Sequence, residues 1–187
     1  VLISGPSGSG KSTLIAEAIK RSPRQLHLAV SLTTRNKRPN EIEGVHYHFC
    51  SREEFEKAIA NDELLEYAIV HRVHYYGTPK KEVDPFREKG IGVILDIDVQ
   101  GFTQVHPKYP DLYSIFITTP PGEYERRLRA RDSDEEEIQR RLKTAEAEFS
   151  FASRYNELLI NDDVDRATKV LVDRIEELFQ ARGFHAR

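Results

Sequence analysis

An α/β layer fold with a largely parallel sheet is the architecture that this 187-residue sequence predicts. Three observations carry it. Short apolar, β-branched runs alternate with longer segments patterned as helices, the order that strand–helix–strand units produce. A glycine-rich loop, Gly5-Pro6-Ser7-Gly8-Ser9-Gly10-Lys11-Ser12, lies between the first such run and the first such helix. Composition, at 39% hydrophobic and 32% charged, is that of a globular chain with a core to bury.

Strands are predicted over residues 1–4, 26–32, 92–98, 114–118 and 157–161. Helices are predicted over 11–21, 51–61, 79–89, 122–131, 134–153 and 163–182. Val1-Leu2-Ile3 has no basic region before it and reads as the middle of a strand whose beginning is missing, not as a signal peptide. Between residues 33 and 78 Thr, Arg, Tyr, His and Gly are frequent and apolar runs are short, so this stretch reads as a small inserted subdomain. Within it, Ser51 followed by Glu54 is a capping-box start for the helix at 51–61. Asp96 and Asp98 interrupt the apolar strand Leu95-Asp96-Ile97-Asp98, and alternation puts both on one face. An unpaired carboxylate is costly to bury, so a functional partner is expected, and Asp96 is read as the acid near Mg²⁺ and its waters. Residues 122–142 carry Arg126, Arg127, Arg129, Arg131, Arg140 and Arg141 beside Asp132, Asp134 and Glu135 to Glu137, a mixed charge that suits a solvated helical face.

The glycine-rich loop fits G-x-x-x-x-G-K-[ST] at every position. Glycines let the backbone curl so that successive N–H groups converge on phosphate oxygens, and the following helix N-terminus adds partial positive charge. Lys11 is expected to reach the β- and γ-phosphates of a nucleoside triphosphate, and the Ser12 hydroxyl to ligate Mg²⁺. Residues Gly5 to Ser12, with Thr13, are therefore the expected triphosphate cradle.

Bulk properties exclude several other classes. A formal net charge of −3 argues against a general nucleic-acid or membrane-surface binder. A single cysteine, Cys50, rules out an internal disulfide framework and suits a reducing cytosol, so a cytoplasmic protein is expected. No apolar run approaches the roughly 18–20 residues a membrane span needs. His46, His48 and Cys50 alternate on one strand face, but three ligands do not complete a closed zinc site, and Tyr47 faces the other way.

Beyond the loop, the chain resembles the guanylate kinase family along essentially its whole length. Ser31-Leu32-Thr33-Thr34-Arg35, then Arg38, Glu41, Gly44 and Tyr47, resemble the segment that grips the GMP phosphate. Leu65-Glu66-Tyr67, Tyr75-Tyr76-Gly77-Thr78 and Leu95-Asp96-Ile97-Asp98-Val99-Gln100-Gly101 resemble the rest of the acceptor pocket. Pro120-Pro121, the arginine-rich segment and Ile160-Asn161-Asp162-Asp163 resemble the lid and ATP-base regions. The resemblance implies one domain spanning 1–187 on a three-layer P-loop fold. Its core would be 1–32, 79–121 and 143–187, its GMP-binding insert 33–78 and its lid about 122–142. It implies transfer of the γ-phosphate of ATP to GMP with Mg²⁺ as cofactor, dGMP being a further acceptor.

The residue types make chemical sense in those places. Arg35 and Arg38 offer planar, bidentate donors to a phosphate dianion, and Tyr47 and Tyr76 add phenolic donors without charge. Guanine presents N1–H and N2–H₂ side by side, which the Glu66 carboxylate can accept, while hydroxyls of Ser31 and Thr78 can donate to O6 or N7. The resemblance adds Gly77 and Asp98 to this set. Arg127 and Arg131, four apart on one helical face, suit a mobile lid, with Arg141 from the other limb. With Lys11 and Arg38 they form the expected catalytic set, and Asn161 is the expected adenine-side contact. The sequence departs from the family at Lys37 and Asn40, where proline and glycine are usual. It is one residue longer at Arg72-Val73-His74 and one shorter after Arg131, where Asp132 replaces a glycine. Two other readings stay open: a peptide-binding module on the same fold, against which the intact Lys11 and Ser12 speak, and a kinase for AMP or a sugar phosphate, against which Glu66, Ser31 and Thr78 speak.

Overall fold

The structure, a computed structural model, describes residues 1–70, 73–109, 111–120, 122–131 and 134–183. Its centre is a five-stranded sheet of β1 (Leu2–Ser4), β2 (Leu26–Leu28), β7 (Gly92–Asp96), β8 (Ser114–Thr118) and β9 (Glu157–Ile160). The order is β2-β7-β1-β8-β9, every pair parallel. Parallel neighbours need crossovers, and helices supply them on both faces. Ile3, Ile94, Ile115 and Ile117 face α1 (Lys11–Arg21) and α7 (Val164–Ala181) through Leu14, Ile15, Leu171 and Ile175. Leu2, Leu95 and Phe116 face the opposite layer, where Phe102 and Val105 of α4 (Val99–Val105) pack with Tyr155. The three layers expected from the sequence are present.

A second sheet joins β3 (Leu32–Thr33), β4 (His48–Phe49), β5 (Leu64–Val70) and β6 (His74–Pro79) in the order β4-β3-β6-β5. Its cover is α2 (Arg52–Ala60), whose Phe55 and Ala58 pack on Leu64. The capping box read from the sequence forms: Ser51 Oγ accepts from Glu54 N at 3.1 Å, and Glu54 Oε2 from Ser51 N at 2.7 Å. Glu82 ties the two sheets together, meeting His27 of β2 at 3.0 Å and His48 of β4 at 2.9 Å.

Several elements differ from expectation, β4, β5 and β6 among them, for which no strand is predicted. The strand predicted over 26–32 divides, β2 joining one sheet and β3 the other. The helix predicted over 79–89 is a 3₁₀ turn, Lys80–Glu82, followed by the short α3 (Asp84–Glu88), because Pro85 lacks an N–H and can only sit in a first turn. The helix predicted over 134–153 is α6 (Glu135–Phe149), with a separate 3₁₀ turn at Ala152–Arg154. The segment 99–105, left without an element, is α4, started by Asp98, whose Oδ1 accepts from Gln100 N and Gly101 N. The segment expected as a lid holds α5 (Glu123–Arg131), joined to α6 through Tyr124, Leu128, Leu142 and Ala145.

Candidate active site

The loop after β1 turns on glycines at two unavoidable places. Gly5 has φ +143°, and a Cβ there would lie 2.0 Å from the carbonyl oxygen of Ile117 in the neighbouring strand. Gly10, at φ +87°, precedes α1, and its Cβ would meet Asn161 Nδ2 at 2.3 Å. Between them Ser9 N donates to Pro6 O at 3.0 Å, closing the curl. Lys11 Nζ rests on the carbonyls of Gly5 at 2.5 Å and Pro6 at 3.3 Å, so the ammonium lies over the loop's concave side. Ser12 and Thr13 are exposed in the first turn of α1.

Asn161, expected at the adenine side, is held against the loop. Its side chain, only 1% exposed, donates from Nδ2 to Ser9 O at 2.8 Å, and its backbone N–H donates to Thr118 O at 2.7 Å. The amide thus braces the loop. Arg127 reaches the same place: Nη2 donates to Asn161 O at 3.3 Å and Nε to Glu123 Oε1 at 3.1 Å. Arg141 is held by Glu137 at 2.8 Å. The side chain of Arg131, like Arg72, Pro121 and Asp132 named above, lies outside the described residues.

The residues expected to take the acceptor lie on and beside the second sheet. Arg35 is gripped on three sides, by Glu41 Oε1 at 2.6 Å, Asn36 O at 2.7 Å and Tyr76 OH at 3.1 Å. Its guanidinium lies over the Tyr47 ring at 5.4 Å, and Tyr47 and Tyr76 meet edge-on at 5.8 Å. Glu41 is held down to a pKa of about 2, mainly by the Arg35 hydrogen bond. The Arg38 side chain is exposed, while its backbone N–H donates to Glu41 Oε2 at 2.8 Å.

Glu66 is 5% exposed, and Thr78, its cross-strand neighbour, donates from Oγ1 to Glu66 Oε1 at 2.6 Å. Burial pushes the Glu66 carboxyl up to about 7, with the Asp98 charge adding and the Thr78 bond opposing. Thr78 was expected to donate to a base; here its one hydroxyl proton serves Glu66 instead. Gly77 is needed between Tyr76 and Thr78 because a Cβ would sit 2.9 Å from Glu66 O and 3.0 Å from the Phe55 ring.

A single cavity of about 460 Å³ joins the two halves, lined by the loop from Gly5 to Thr13, by Ser31, Tyr47, Glu66, Tyr76 and Gly77, and by Asp96 and Asp98. Asp96 and Asp98 both line it, as does Ile97 between them, because β7 ends at Asp96 and Asp98 already begins α4, so strand alternation does not govern Asp98. Burial raises the Asp96 carboxyl and the Lys11 charge opposes that rise. An exposed hydroxyl on Ser12 and a carboxylate on Asp96, both beside Lys11, are hard oxygen donors of the kind Mg²⁺ takes. Glu148, near the end of α6, also lines this cavity and was missed. Burial raises its carboxyl, against the Lys11 charge and with that of Asp98. Its sequence signal, one more glutamate in an acidic helix, does not separate it from its neighbours. His46 and His48 are engaged elsewhere, His46 Nδ1 accepting from Ile42 N at 2.9 Å and His48 meeting Glu82.

Comparison with known proteins follows the same outline. The family model described as Guanylate kinase matches residues 1–178. The guanylate kinase of Vibrio parahaemolyticus is 47% identical over 169 residues, covering 89% of this chain and 81% of that protein. That of Carboxydothermus hydrogenoformans is 47% identical over 173 residues, covering 91% and 84%. The crystal structure of guanylate kinase from Anaplasma phagocytophilum superposes with a TM-score of 0.73 at 27% identity, covering 98% of this chain and 94% of that one.

Proposed function

Since the chain belongs to the guanylate kinase family, we infer that it is an ATP:GMP phosphotransferase, giving ADP and GDP. The observation that carries this reading is the one cavity shared by a complete triphosphate loop and the buried Glu66 carboxylate. A P-loop alone calls for a nucleoside triphosphate, and a buried carboxylate facing the same space calls for an acceptor with two adjacent donors. Guanine has them at N1 and N2; adenine has a lone pair at N1 and no 2-amino group.

The chemistry is in-line displacement by positioning and charge neutralisation, with no covalent intermediate. The N–H groups of the Gly5–Lys11 loop and the Lys11 ammonium hold the triphosphate. Arg35 and Arg38, with Tyr47 and Tyr76, hold the acceptor phosphate, and Glu66 with Ser31 and Asp98 holds the base. Arg127, Arg131 and Arg141 supply charge from the lid limbs and close water out of the site. Ser12, and Asp96 through water, would hold Mg²⁺, which when bound neutralises β- and γ-phosphate charge. The two sheets and the α5–α6 pair support a division into core, insert 33–78 and lid. dGMP fits the same reading, because base and phosphate are the groups gripped. A cytoplasmic location belongs to it as well, supported by the lone Cys50; among the described residues no helix is long and apolar enough to cross a membrane.

A coupled ADP-release assay with Mg·ATP and GMP, dGMP, AMP, CMP or UMP tests the proposal. Turnover is expected with the two guanine nucleotides, at least about 100-fold above AMP in kcat/KM. Equal use of AMP or of the pyrimidine nucleotides would sink it.

A further inference from the structure

Gly101 is a glycine with no conformational reason to be one. It lies in the first turn of α4 with ordinary helical backbone, where alanine is the better helix former. What it lacks is room: a Cβ there would stand 2.6 Å from Glu66 Oε2, 3.0 Å from Glu66 Cδ and 3.0 Å from Ile97 Cδ1. Something must yield, and the surroundings decide what. The backbone at 101 is pinned, since Gly101 N donates to Asp98 Oδ1 at 2.9 Å. Strand β5 is pinned as well. One turn along α4, Gln104 accepts from Tyr67 N at 3.2 Å and donates to Tyr67 O at 2.6 Å, taking both free edge groups of the residue after Glu66. The 3.0 Å contact requires Ile97 Cδ1 to give only a few tenths of an ångström, but at the 2.6 Å contact it is the Glu66 carboxylate, the far end of a flexible side chain, that is left to move. Its Oε1 is anchored by Thr78, so displacing Oε2 turns the plane of the two oxygens or breaks that anchor.

We propose that Gly101 is a specificity-positioning residue: the missing side chain keeps the Glu66 carboxylate in the plane that guanine N1–H and N2–H require, against a strand that Gln104 holds in register. This rests on the reading of Glu66 as the base-reading group. The substitution therefore acts through Glu66 and spares the P-loop, the phosphate site and the helix itself.

The experiment is a two-by-two set, wild type, Gly101→Ala, Glu66→Ala and the pair, each measured for kcat/KM on GMP and AMP and for thermal midpoint. Gly101→Ala is expected to lower GMP efficiency about 10- to 100-fold while AMP stays within about threefold, with the midpoint unchanged or higher. In the Glu66→Ala background the same substitution is expected to cost nothing more, because no carboxylate is left to displace. Equal losses on GMP and AMP, or the same loss in both backgrounds, would overturn the proposal. If Glu66→Ala leaves the GMP preference intact, the base-reading role itself falls and takes this inference with it, which the single Gly101→Ala data cannot mimic. Should Gly101→Ala alone not fold, Gly101→Ala/Glu66→Asp, whose shorter acid leaves room, is compared with Glu66→Asp. An equal GMP preference supports the proposal, and a lower one in the pair refutes it.

Discussion

Glu41 holds Arg35 at 2.6 Å, with both side chains mostly buried at 13% and 14% exposure. The arginine is aimed by its acid, and the same carboxylate also fixes the loop through Arg38 N. Two opposing consequences follow from removing it. Loss of a negative charge near the phosphate favours binding by under about 1 kcal/mol for a pair reached by water. Loss of orientation leaves a long side chain to be ordered on binding, at about 1.5–2 kcal/mol. The second effect wins. Glu41→Ala is expected to raise KM for GMP about 10-fold with kcat within about threefold; steady-state kinetics showing a tighter KM would refute the orienting role.

Lys11 is the one charged side chain in the triphosphate loop, and it contacts loop carbonyls rather than core. Lys11→Ala should cut turnover by on the order of 10²-fold or more and leave the thermal midpoint nearly unchanged. Near wild-type turnover in that variant would remove the lysine from the phosphate site.

The Glu66 carboxyl, at a pKa of about 7, must be ionised to accept two guanine donors. GMP efficiency should therefore rise with pH up to about 7 and level off above it. Glu66→Gln offers one carbonyl oxygen for two donors, and an unsatisfied buried donor costs roughly 1–3 kcal/mol. It should lower kcat/KM for GMP about 10- to several-hundred-fold, lower IMP less, change AMP little, and abolish the pH limb. Stability runs the other way. The folded carboxyl is raised above its ordinary 4.5, so its contribution is full below that pH and is lost as pH rises through about 7. Equal losses on all three nucleotides, with the pH limb retained, would assign Glu66 to the fold.

Arg127 sits against the loop through Asn161 O and is aimed by Glu123. On the proposed role, its charge serves the transferring group rather than the acceptor's ground state. Arg127→Ala is accordingly expected to lower kcat about 10- to 100-fold with KM for GMP within about threefold. A variant whose defect lies in KM for GMP alone would move this arginine to the acceptor site.

Much of this was legible in the sequence, and the reasons for the rest are local. The core strands stand out because parallel strands buried on both faces read as short apolar runs, as Ile115-Phe116-Ile117 does. Strands β5 and β6 did not, because one face of their sheet is built from Glu66, Tyr76 and Thr78, residues that serve the cavity and mask the apolar alternation. Segment 99–105 was left unassigned because the apolar strand runs into it and Gly101 weakens its helix pattern. The P-loop was complete in one stretch of chain. The support that Asn161 gives it was not, since nothing local says that a residue far along the chain turns inward.

The ATP cradle is also late to be completed. Ser4, at the end of β1, bonds Ile97 across 93 residues of sequence, and Ser9 is held by Asn161 across 152. β1 lies between β7 and β8, so the loop's own strand finds both neighbours only after residues 92–118 are available. Contacts this distant in sequence carry a loop-closure cost before they repay it, which slows folding. On a ribosome the triphosphate loop emerges before β7, β8 and Asn161, and so acquires its shape only after they are made. ATP is therefore expected to stabilise a molecule in which β7, β8 and Asn161 are already in place, rather than to template the loop ahead of them.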